Sequence, residues 1–183
     1  MSDFFNNYFN VIDEKSKSID YKELISASEL ANNANKDGGK IIIVGNGGSA
    51  AIASHVSVDF TKAAGMKATC FNESSLITCF ANDYGYENWV ARALEFYADK
   101  NDMVFLISSS GTSKNITNGA RQAKEMGLST VTLSGLSSEN ELRTLGDVNL
   151  WIDSTQYNVV EIVHQTWILS IIDYLINNKE IDC

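Results

Sequence analysis

Two stretches of this 183-residue chain bring together side chains suited to shared chemistry. Gly45-Asn46-Gly47-Gly48-Ser49 follows the apolar run 41–44 and precedes a helical pattern opened by Ala50. Ser108-Ser109-Ser110-Gly111-Thr112-Ser113 follows the apolar run 104–107 and precedes a second helical pattern. Glycine lets the main chain approach an anion closely, and hydroxyls donate hydrogen bonds without adding charge. At the positive end of a helix, such a turn suits a phosphate or a polyhydroxylated sugar. Ser, Asn and Gly also make ordinary helix caps, which would account for one such turn. Two of them, the second bearing five hydroxyl side chains, favour a cradle. Neither turn carries the Gly-Lys-Ser/Thr of a Walker A loop or a Gly-x-Gly-x-x-Gly pattern, so no nucleotide cofactor is expected.

The chain has only two histidines. His55 and Asp59 are spaced i, i+4, and Glu161 and His164 are spaced i, i+3 on a later helical pattern, so each pair is expected to share a helix face. Such pairs suit acid–base chemistry beside a carbonyl, in which a base takes a proton from carbon and an acid protonates the neighbouring oxygen, each contributing about 10²–10⁴-fold. His–carboxylate pairs also suit a divalent metal that polarises the carbonyl. The plainer alternative is a solvated ion pair contributing a few tenths of a kcal/mol.

These residues must be held by a regular frame. Apolar runs near 40–45, 67–71, 103–108, 129–134 and 148–152 read as strands, the first continuous enough to be buried on both faces. Helical patterns fall near 48–63, 86–98 and 113–126, with shorter turns near 74–81 and 138–145 and a last helix over 156–177. Residues 3–36 carry apolar positions at helical spacing, including Phe4, Phe5, Tyr8, Phe9 and Ile12, and predict two amphipathic helices. Alternating strands and helices predict βαβ units in a covered parallel sheet. Ligands of such sheets bind beyond the carboxyl ends of the strands, where strand order reverses. One domain over 1–183 is expected, with helices in 1–36 and an α/β core in 37–183.

Composition narrows the function classes. Fourteen basic against twenty-three acidic residues leave a net charge of −9, which repels phosphate backbones and argues against nucleic acid as a partner. No signal peptide and no membrane span is expected, which points to the cytoplasm. Cys70, Cys79 and Cys183 are too few and scattered for a disulfide framework or a zinc knuckle; they read as two buried small apolar residues and a free tail thiol.

Asn46-Gly-Gly-Ser49, Ala81-Asn-Asp-Tyr-Gly85 and Ser108-Ser-Ser-Gly-Thr-Ser113, in that order, resemble the sugar isomerase (SIS) domain, and within it the bacterial phosphoheptose isomerases. The resemblance implies an α/β fold with a five-stranded parallel sheet sandwiched by helices, flavodoxin-like, assembled as a homotetramer. It implies that Ser108, Ser109, Ser110 and Ser113 hold the phosphate, and that Asn46, Gly47, Gly48, Ser49, Asn82 and Asp83 contact the sugar. It implies a His at position 55 and a carboxylate at 59, and on the last helix a Gln, a His three later and a second His five after that. In this chain these become His55, Asp59, Glu161, His164 and Leu169, so one family catalyst is missing. Asp59 is the leading candidate base, with Glu161 and His164 as further catalytic candidates; His55, Asp59 and Glu161 would be the zinc ligands. The implied reaction converts sedoheptulose 7-phosphate to D-glycero-D-manno-heptose 7-phosphate for surface polysaccharide. The alternative is a non-catalytic sugar-phosphate-binding regulator on the same scaffold.

Overall fold

The computed structural model describes residues 2–181, with side chains through Asn178, so Cys183 lies outside the described residues. Two helices, α1 (Ser2–Ser16) and α2 (Tyr21–Lys36), precede the first strand, β1 (Ile41–Gly45). There follow α3 (Gly48–Lys62), β2 (Ala68–Cys70), α4 (Ser74–Tyr84), α5 (Trp89–Tyr97), β3 (Met103–Ser108) and α6 (Lys114–Glu125). The chain then runs through β4 (Ser129–Ser134), a 3-10 turn at Glu141–Thr144, β5 (Val148–Trp151) and α7 (Tyr157–Ile181). All five strands are parallel, in the order β2-β1-β3-β4-β5. This is the doubly wound arrangement whose strand order reverses between β1 and β3.

Every residue of β1 and of β3 is buried, as the continuous apolar runs demand. Alternate strand residues feed two cores. Ile41, Ile43, Met103, Phe105 and Ile107 pack against α2, α3 and α7, while Ile42, Val44, Val104 and Leu106 pack against α5 and α6. Asp102, 3% exposed, accepts hydrogen bonds from Lys40 N and Asp99 N at 2.8 Å each and fixes the amino end of the sheet. Helix α1 is pinned to α7 by Trp167 Nε1, which donates to Ser16 O at 2.9 Å.

Two expectations need correcting, and the expected lack of a membrane span meets one apolar helix. The segment near 74–81 is a full helix of 11 residues, started by Glu73, whose carboxylate accepts from Leu76 N at 2.9 Å. Cys70 is half-buried and Cys79 exposed, so neither is a buried apolar stand-in. Finally, Tyr157–Asn178 of α7 is long and apolar enough to cross a membrane, with a mean hydropathy of 1.4. Half of this window is buried against the sheet and its covering helices, so its apolar character is accounted for by core packing.

Candidate active site

The turn leaving β1 is held from below. Asn72, on the loop after β2, accepts from Gly45 N at 3.1 Å and donates to Gly45 O at 2.7 Å. Gly47, at φ 53°, swings the chain into α3 and caps it without a side-chain hydrogen bond. The turn leaving β3 folds its hydroxyls onto one another. Ser108 Oγ donates to Ser113 Oγ at 3.1 Å and accepts from Gly111 N at 3.2 Å, and Thr112 Oγ1 donates to Ser110 Oγ at 3.1 Å. Gly111 sits at φ 65°, and a Cβ there would overlap the Asn140 amide, so glycine is required twice over. Ser109 Oγ is buried without a protein partner, a donor left for something else to satisfy.

The two turns converge. Asn46 and Asn115 exchange amide hydrogen bonds in both directions at 2.9 Å, and Tyr86 Oη donates to Asn46 Oδ1 at 3.0 Å. Asn46, Ser49, Ser108, Ser109, Ser110 and Ser113 line a pocket of about 150 Å³, completed by Tyr157 and Glu161 of α7. A larger lobe of about 560 Å³ adjoins it, lined by Tyr8 of α1, by Gly48, Ala51 and His55 of α3, and by Asn158, Glu161 and Gln165 of α7. Glu161 belongs to both lobes. Its carboxylate lies against Gly48, where any Cβ would overlap it. A cleft of this size at the β1/β3 reversal is where an open parallel sheet presents a ligand.

His55 is half exposed and has both ring nitrogens engaged. Nε2 stands 3.1 Å from Asp59 Oδ2, and Nδ1 stands 2.8 Å from Gln165 Nε2. Asp59 therefore anchors His55 and lines neither lobe, which does not fit the leading place expected of it as base, whereas Glu161 lines both. His164 is corrected outright. It is fully buried under the sheet's edge, with Nε2 3.1 Å from Ser134 O and Nδ1 without a partner. Burial pushes its pKa down to about 4, partly opposed by the Ser134 carbonyl, so it is a neutral core group that no ligand in the cleft touches. The reason is helical geometry: from Glu161, His164 is turned about 60° toward the sheet, whereas Gln165 is turned only about 40° the other way and stays in the cleft.

Asn82 and Asp83 also fall outside both lobes. They sit exposed on α4, with Asn82 Nδ2 donating to Asp83 Oδ1 at 2.9 Å, and the α4–α5 connection reaches the cleft through Tyr86 instead. Gly47 shapes its turn without lining either lobe. Of the residues expected to hold zinc, His55 and Asp59 are paired and Glu161 lines the cleft with His55, while among the described residues no group of three or more His, Cys, Asp or Glu is placed to hold a metal ion. Sequence reading missed Gln165, Asn115, Tyr157, Tyr86 and the cleft role of Tyr8. The i+4 spacing from Glu161 was the one available signal for Gln165.

Comparison with known proteins bears on the fold and the family. Residues 3–135 match the SIS domain model. The chain is 37% identical over 132 residues to a phosphoheptose isomerase of Helicobacter pylori, covering 69% of this chain and 68% of that protein. It is 33% identical over 169 residues to a probable phosphoheptose isomerase of Thermoplasma acidophilum, covering 88% of this chain and 91% of that protein. The solved phosphoheptose isomerase of Neisseria gonorrhoeae superposes with a TM-score of 0.85 at 24% identity, over 95% of this chain and 96% of that one. The chain belongs to the SIS domain family, alongside the phosphoheptose isomerases.

Proposed function

We propose that this chain is an aldose–ketose isomerase of a phosphorylated sugar, converting sedoheptulose 7-phosphate to D-glycero-D-manno-heptose 7-phosphate. The observation that carries the reading is the position of Glu161, one carboxylate shared by the hydroxyl cradle and the larger lobe. With the phosphate on Ser108, Ser109, Ser110 and Ser113 and at the start of α6, the sugar chain extends past Glu161 toward His55. Glu161 takes the C1 proton of the ketose as the C1=C2 bond forms and a solvent water protonates the carbonyl oxygen, the resulting hydroxide later taking the C1 hydroxyl proton. Glu161 then returns its proton to C2 while the C1 hydroxyl loses its proton and becomes the aldehyde. Electrons and protons balance, and the net change is a shift of two hydrogens between adjacent carbons and their oxygens.

The test follows aldose formation from sedoheptulose 7-phosphate by proton NMR. Glu161→Gln, which keeps shape and removes the base, should lower kcat by about 10²-fold or more while binding of inorganic phosphate persists. Full activity in that variant would refute the assignment. Tight phosphate binding with no turnover of any ketose phosphate by the native chain would favour the regulator.

The same reading includes a homotetramer, supported by α1, which leaves Phe4, Phe5 and Phe9 at 67%, 55% and 63% exposure on a helix with no buried residue. Replacing all three with Ser should lower the mass measured by light scattering. The reading also includes a cytoplasmic place, supported by the free thiols of Cys70 and Cys79, with the product feeding surface polysaccharide.

A further inference from the structure

We propose that Gln165 is a positioning residue that sets the protonation pattern of His55, an inference that rests on the isomerase reading for its kinetic consequence but not for its spectroscopic one. The argument begins with hydrogen-bond inventory. A carboxamide nitrogen only donates, so His55 Nδ1, 2.8 Å from Gln165 Nε2, must accept and carries no proton. The ring proton then belongs on Nε2, 3.1 Å from Asp59 Oδ2, where it is donated to the carboxylate. Gln165, His55 and Asp59 thus form one directed chain across the gap between α7 and α3.

The position of this chain gives it its consequence. Gln165 and His55 both line the lobe that Glu161 shares with the cradle, whereas Asp59 does not. With both nitrogens hydrogen-bonded, His55 presents a fixed edge to the lobe, and Glu161 lines the same lobe beside it. The position that the family resemblance fills with a second His, here Leu169, lies one further turn along the same face of α7 and packs partly into the core. Gln165 is therefore the side chain through which α7 reaches His55.

Long-range proton–nitrogen NMR of the uniformly ¹⁵N-labelled chain separates a protonated ring nitrogen from a bare one. Only two histidines contribute, and buried His164 serves as an internal check that the fold is intact. The native chain should show His55 with a protonated Nε2 and a bare Nδ1. Gln165→Glu, nearly the same shape but unable to donate, should place a proton on Nδ1. Gln165→Met, which removes the donor, should give mixed tautomers. Both should lower kcat by about tenfold or more with KM within about twofold, because the sugar phosphate is held elsewhere. His55 signals or kcat unchanged in both variants would overturn the role of Gln165. A native chain without isomerase activity sinks the reaction proposed above, while the ring signals still decide the case for Gln165.

Discussion

His164 offers the sharpest quantitative test of the structure, because its neutral state depends on complete burial. Its pKa falls from 6.5 to about 4 on folding, chiefly through desolvation, with the Ser134 carbonyl pulling weakly the other way. The unfolded chain binds a proton at this residue below 6.5, and the folded chain does so only near 4. The contribution to stability is therefore complete above 6.5 and is lost as pH falls toward 4. At about 1.4 kcal/mol per pKa unit, the full loss is about 3 kcal/mol, of which about 2 kcal/mol falls between about pH 7 and about pH 5. His164→Gln keeps a donor for Ser134 O and removes the titration. Urea unfolding followed by circular dichroism, at fixed protein concentration, should show the native chain losing about 2 kcal/mol more than the variant over that interval. Identical pH dependence in the two proteins would mean that His164 reaches solvent, and the packing of α7 on β4 described here would be wrong.

Four further outcomes follow from the cleft. Ser109→Ala removes a buried hydroxyl that has no protein partner, so thermal stability should hold while affinity for inorganic phosphate, measured calorimetrically, falls by about tenfold or more. Gly48→Ala drives a methyl into the Glu161 carboxylate; kcat should fall by about 10²-fold with phosphate affinity retained, since the Ser108–Ser113 turn is untouched. Asn115→Ala leaves the Asn46 amide without its reciprocal partner and should cost about 2 kcal/mol in a urea titration. EDTA treatment should leave turnover unchanged, because the described carboxylates and histidines form no three-ligand group.

Much of the architecture could be read from one-dimensional pattern. Continuous apolar runs such as 41–44 and 103–107 have to be buried on both faces, and glycine- and serine-rich turns after them have to open helices, so strand identity and the position of the two turns followed directly. The His55–Asp59 pairing was legible because i, i+4 contacts lie within one helix. Residues 74–81 were under-read as a turn because their helix is short and begins on a Glu cap with no buried residue.

What the sequence alone determined, then, was local: which segments are strands, which glycine- and serine-rich turns open helices, and which neighbours share a helix face. Only the tertiary structure decided the direction of α7. A rotation of about 40° separates Gln165 from Glu161 and about 60°, in the opposite sense, separates His164. Whether either angle leads to the cleft or to the core depends on how the helix rolls onto the sheet. That roll is fixed by Val159, Val160, Val163, Trp167 and Ile168 seeking burial, not by the polar residues between them. For the same reason the Asn46–Asn115 bridge, which joins residues 69 positions apart, exists only once β1 and β3 lie side by side.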